Sequence, residues 1–274
     1  MILCSICMND IGEYNCVEGE GYLVSSLFGR EATSVRLASI TIGTPNHGGL
    51  QNLSIQRNNP CYGVTDAGLV AIAQKLDLFK FPIITDKCLL DIVKNCPDIT
   101  SLTIYSYSNI GNESLKVVGQ YCPSLNIVVL KCSPFIGHHG LAVQFYLASK
   151  VLTEVRLQGL CIRDLSLHIL FNCCEKIESL SLVSCIGMED YPLNLVDSCH
   201  SSLLSLTIRK FPGIGNTTIY LVGGLCRKLT HIDLSKFQRI TNEGLIPLAQ
   251  NCEANLVVVN LSIVSILQTY KFQQ

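Results

Sequence analysis

One spacing constrains this chain more than anything else in it. A short polar anchor recurs behind an apolar residue at Asp86, Asn112, His138, Asp164, Asp190, Asn216 and Asn242, each 26 residues after the last. An earlier anchor, Asp66, stands only 20 residues before Asp86. The residue two positions before each anchor (Val64, Ile84, Ile110, Ile136, Ile162, Met188, Ile214, Ile240) is always apolar, as is the one three positions after it (Leu69, Leu89, Leu115, Leu141, Leu167, Leu193, Ile219, Leu245). Six positions after the anchor the column is apolar except at Gln144, and ten after it Cys96, Cys122, Cys174, Cys226 and Cys252 recur. Offsets of three, six and ten draw one stripe along a short helix. The anchor oxygen is placed to accept a hydrogen bond from the first helical turn. Behind each helix the apolar period drops to two, as in Ile99, Leu102, Ile104 and again in Leu203, Leu206, Ile208, which is the pattern of a short strand.

A strand and a helix repeating at a fixed interval is the signature of a leucine-rich repeat, because one unit alone cannot bury its apolar edges. The expected fold is therefore an α/β leucine-rich-repeat solenoid, a curved horseshoe with parallel strands on the concave face and helices on the convex face. A doubly wound α/β fold also alternates strands and helices, but it does not keep a constant spacing over so many units. The pattern breaks after Asp66, where Lys75, Leu76, Asp77 and Leu78 already read as the next strand. At the other end, Leu256, Val259 and Leu261 begin a further strand. Residues 1–44 read as a segment preceding the repeats, with a helical stretch near Arg30 to Ile42 that would cap them, and residues 45–274 as the repeat domain.

Charge and cysteine content narrow the function. With 20 basic and 21 acidic side chains there is no global positive field for a phosphate backbone or an anionic membrane, so neither nucleic acid nor membrane is expected as a partner. The 15 cysteines are spread evenly, which predicts reduced core thiols in a cytosolic or nuclear protein rather than a disulfide framework. Cys4 and Cys7, with Cys16 nearby, form one C-x-x-C without the second pair a zinc site needs. His138 and His139 read as turn residues. No phosphate loop, nucleophile elbow or paired-carboxylate motif is present, so the chain is expected to be no enzyme and to need no cofactor.

The stretches ITDKCLLDIVKNCP (84–97) and IGNESLKVVGQYCP (110–123) resemble the cysteine-containing leucine-rich repeats of F-box proteins. Further upstream, EGYLVSSLFGREATSVRLASITIGT (20–44) followed by GGLQNLSI (48–55) is similar to the segment joining F-box to repeats in the plant F-box proteins that bind ethylene-insensitive transcription factors. The resemblance implies a nuclear receptor of an SCF-type ubiquitin ligase, in which an F-box docks on the Skp adaptor and cullin while the repeats hold the transcription factor for proteasomal degradation. Residues 1–6, MILCSI, resemble only the tail of the last F-box helix, and 164–190 resembles two distant family repeats joined. The expectation is a protein-binding receptor module lacking the adaptor surface, with a truncated decoy or non-functional fragment as the alternative.

In a solenoid the strand residues between the core leucines are free for a partner. Tyr105, Lys131, Arg156, Arg209, Lys210 and His231 are the candidate partner-binding residues on that face, more basic than acidic and with one aromatic anchor.

Overall fold

The structure is a computed structural model of the 274-residue chain, and the description covers residues 23–28, 50–56, 75–79, 86–95, 99–105, 110–187, 202–237, 240–252 and 255–262. The chain divides into two compact units, Met1–Ile136 and Gly137–Gln274. In the first, strands β1 (Leu23–Phe28), β2 (Leu50–Gln56), β3 (Lys75–Phe79), β4 (Ser101–Tyr105) and β5 (Ile127–Lys131) pair in that order, all parallel, with helices α1 (Asp86–Asn95) and α2 (Asn112–Tyr121) as crossovers. In the second, β6 (Glu154–Gln158), β7 (Ser179–Val183), β8 (Ser205–Arg209), β9 (His231–Asp233) and β10 (Val258–Asn260) do the same. Its helices are α3 (His138–Leu147), α4 (Asp164–Cys173), α5 (Asn216–Leu225) and α6 (Asn242–Cys252). Each unit is thus a stack of strand–helix repeats in an α/β leucine-rich-repeat fold.

Parallel pairing already begins at β1, inside the segment read as preceding the repeats, and β3 falls where Lys75 to Leu78 announced a strand. The expected helix near Arg30 to Ile42, the helix after Asp66, the Asp190 unit and the Cys4, Cys7 and Cys16 group lie outside the described residues.

Register explains why the strand leucines carry the core. Val155, Leu180, Leu206 and Ile232 are cross-strand partners in sequence, as are Leu157, Leu182 and Ile208, and every one of them is buried. In the first unit Leu102 and Ile104 align with Val128 and Leu130, again buried. Because side chains alternate between faces, a slip of one residue would expose all of these at once, so burial itself locks the register, at an offset of 25 residues between β6 and β7 and 26 in the other pairs named.

The cysteine column is buried and reduced at Cys122, Cys174, Cys226 and Cys252. These thiols are more than small apolar fillers. Cys174 Sγ donates to the Phe145 carbonyl at 3.5 Å and Cys252 Sγ to the Cys226 carbonyl at 3.3 Å, so each reaches the end of the preceding helix, where carbonyls lack intrahelical partners. Burial, and to a lesser degree Cys173 beside it, pushes the Cys174 thiol up to about 12.

The anchors act differently from expectation. Each described helix begins at its anchor, and the residues just before α2, α3, α4 and α5 (Gly111, Gly137, Arg163 and Gly215) make no side-chain cap. Two of the anchors reach the next repeat instead. Asp86 Oδ1 accepts the Gly111 N–H at 2.9 Å and the Ser114 hydroxyl, and Asn216 Oδ1 accepts the Thr241 N–H at 2.8 Å. Since both amides stand immediately ahead of a helix, these two anchors secure the start of the neighbouring repeat's helix. That bond needs close stacking. A Cβ on Gly244 would lie 3.0 Å from Asn216 Oδ1, and one on Gly223 would lie 2.6 Å from Leu248 Cα, inside backbone contact distance.

Candidate partner-binding face

Between the buried leucines, the strands of the second unit present three columns of side chains on their other face. Glu154, Ser179, Ser205 and His231 are in register, as are Arg156, Ser181, Thr207 and Asp233, then Gln158, Val183 and Arg209. All are half-buried or exposed. Ser179, Ser181, Ser205 and Thr207 form a floor of small hydroxyl side chains, with charged residues to either side. In the first unit the equivalent Ser101, Thr103 and Val129 are buried, at 7, 8 and 8% exposure, although sequence alternation placed them on the same open face.

Of the candidate residues, Tyr105 ends β4, with its side chain outside the described positions, and Lys131 ends β5, half-buried. Both belong to the first unit. The other four lie in the second. Arg156 is exposed on β6 and forms an ion pair with Glu154. Arg209 closes β8 and is paired with Asp233 across the strand boundary. His231 is exposed on β9, its Nδ1 2.8 Å from the Thr230 hydroxyl. Lys210 lies one residue past β8 and therefore off the strand, in a turn at φ 50°.

That turn is itself a repeat feature. Cys132, Gly159, Ser184, Lys210 and Lys236 all take left-handed backbone, with φ of 50, 66, 52, 50 and 66°, at the corresponding point of successive repeats. Glycine would take this conformation most readily, yet only one of these positions has it.

Arg209 opens a polar ladder whose far end the candidate set missed. Asp233 Oδ2 accepts from both Arg209 and Asn260 Nδ2, the latter at 3.0 Å, while its Oδ1 accepts the Ser235 N–H at 3.0 Å. Asn260 Oδ1 in turn accepts the Ser262 N–H at 3.1 Å. Carrying the strand register one repeat past Asp233 would have pointed to Asn260. Burial works against ionisation of Asp233, but the Arg209 guanidinium and the amide and hydroxyl of Ser235 outweigh it and hold the carboxyl down at about 2. The same bond raises the Arg209 pKa.

Elsewhere, His138 and His139, read from the sequence as turn residues, are instead the first two residues of α3, edge to face, with Nε2 and Nδ1 3.0 Å apart. Burial lowers the His138 pKa, helped by Arg163 and His139. Among the described residues, no three metal-ligating side chains come together and no helix is long and apolar enough to cross a membrane.

No family model matches the sequence. The structure is similar to a chain in the crystal structure of the Rad7 and Elc1 complex in yeast, with a TM-score of 0.51 and 16% identity over 86% of this chain and 69% of that one. At that identity the likeness speaks to fold, and it agrees with the leucine-rich-repeat architecture of both units.

Proposed function

We propose that this chain is the target-binding module of a ubiquitin-ligase receptor, holding a protein on the strand face of its repeats and performing no chemistry on it. The observation that carries this reading is the open face of β6 to β9, where side chains unused by the core lie in register on a rigid sheet. Two further facts support it. Residues 20–44 resemble the segment that joins F-box to repeats in receptors of ethylene-insensitive transcription factors, and the fold is shared with a chain seen in a protein–protein complex. On this reading the target is a transcription factor of that class, met in the nucleus, and the family's Skp adaptor and cullin are the remaining machinery.

Titration calorimetry of the purified chain with such a transcription factor tests the reading. Ser181→Arg and Thr207→Arg should weaken binding at least about tenfold, equivalent to about 1.4 kcal/mol. Tyr220→Arg, on the exposed side of α5, should leave it unchanged. Absence of binding by the unaltered chain would overturn the target class, and equal loss in all three variants would overturn the strand face.

A further inference from the structure

The two halves of the second unit's strand face end differently. Beyond the last strand position, β6 and β7 lead into Gly159 and Ser184, whereas β8 and β9 lead to Lys210 and Lys236. Both lysines are exposed, and neither makes a side-chain ion pair or hydrogen bond among the described residues. Their separation of 26 residues is the offset that pairs Ser205 with His231, so they occupy the same point of adjacent repeats, whose strands lie about 4.8 Å apart. Both are held in left-handed turns, which fixes where each side chain leaves the backbone. Two like charges at that spacing repel, and a bound anion relieves them.

Arg209 adjoins this pair. Asp233 occupies one of its terminal nitrogens and its Nε is buried, while the side chain as a whole stays 43% exposed. The two described acids of this strand face, Glu154 and Asp233, are already taken up by Arg156 and Arg209, so among the described residues no acid of that face neutralises Lys210 or Lys236. Next to them lies the hydroxyl floor of Ser181 and Thr207, small enough to admit an extended backbone.

We propose that Arg209, Lys210 and Lys236 form an anchor for an acidic, extended peptide segment lying across β7 to β9. This deepens the receptor reading and rests on it, for it names the chemistry that the strand face selects in its target: carboxylates presented from an unstructured stretch. The segment's backbone lies over the serine and threonine floor, and its carboxylates meet the lysine ammonium groups and the solvent-exposed part of the Arg209 guanidinium.

The probe is a fluorescein-labelled dodecapeptide of alternating Glu and Ser, titrated by anisotropy with the full chain, beside a peptide with Gln for every Glu. The Glu peptide should bind at least about tenfold tighter than the Gln peptide and weaken steeply with salt. Lys210→Glu with Lys236→Glu should lose at least about tenfold in affinity for the Glu peptide while melting at the same temperature. Lys210→Gln with Lys236→Gln should fall between, which separates charge from packing. Equal binding of the two peptides, no binding of either, or an unaffected double variant would each overturn the anchor. Repeating the transcription-factor titration with the double Glu variant separates the two readings. A factor held as tightly by the variant overturns the acidic anchor alone, whereas a factor not held by the unaltered chain overturns the target class and leaves the peptide result to stand on its own.

Discussion

The strand faces of the two units are written with the same alphabet and come out differently. Ser101 and Thr103 in β4 are buried, whereas Ser205 and Thr207 in β8, at matching repeat positions, stay partly open to solvent. The leucine positions show no such divergence, for Leu102 and Leu206 are equally buried. The repeat pattern thus determines what lies beneath the sheet, while what lies above it depends on local surroundings that a repeat consensus does not encode.

The largest expected effect tests the part the units share. Leu102→Ala and Leu206→Ala should each destabilise by about 2–5 kcal/mol in chemical denaturation, since each empties a fully buried site between neighbouring strands. A loss below about 0.5 kcal/mol at either position, as at neutral surface sites, would mean that the register is wrong there. The next test addresses the difference. Thr103→Arg puts a charge where threonine is buried and should cost about 2 kcal/mol or more, whereas Thr207→Arg should stay within about 0.5 kcal/mol. Similar costs at both sites would erase the distinction between the two faces.

Among the described residues the charged ladder lies in the second unit, and its contribution should depend on pH. Asp233 is held at about 2 against its ordinary 3.8, so its folded pKa is depressed. The stabilisation is fully present above the unfolded value and is lost as pH falls from about 4 toward 2, amounting to on the order of 1–2 kcal/mol once solvent screening of the half-exposed Arg209 is allowed for. Stability measured across pH 2–5 should show this step in the unaltered protein and lack it in Asp233→Asn. A step of the same size in both would assign it to other carboxylates.

A smaller effect of opposite sign is expected on α3. Gln144 occupies the helix column filled by Val118 on α2, Leu170 on α4 and Val222 on α5, is fully buried, and neither of its amide atoms has a partner. Burying an amide without hydrogen bonds is unfavourable, so Gln144→Leu should raise stability by about 1 kcal/mol. A destabilised variant would show that the amide is satisfied in solution.

Most of the repeat was legible in the sequence, because hydrophobic burial is periodic and period is visible in one dimension. Ile110, Ile136, Ile162, Ile214 and Ile240 lie buried where their column placed them, as do the strand leucines and four cysteines. Polar roles were harder to read. Asp86 and Asn216 look like caps for their own helices, yet their oxygens reach the next repeat, a distance set by stacking rather than by sequence separation. Lys210 reads as a strand residue from its neighbours, but the left-handed turn at the strand end removes it from the sheet. Gln144 breaks its column in the sequence without revealing that it would be left buried and unpaired. On the candidate face, the arginines were visible and their partners less so, since the ladder from Arg209 through Asp233 to Asn260 crosses three strands.

The central claim is that partners meet the strand face of the second unit and not its helices, and site-specific photocrosslinking tests it most directly. Benzoylphenylalanine would be placed in turn at Ser181, Thr207 and Tyr220, each chain irradiated with a transcription factor of the ethylene-insensitive class, and the adducts sequenced. Adducts are expected from positions 181 and 207, mapping to an acidic stretch of the factor, and none from position 220. Adducts from position 220 alone would contradict it and move the interface to the helices.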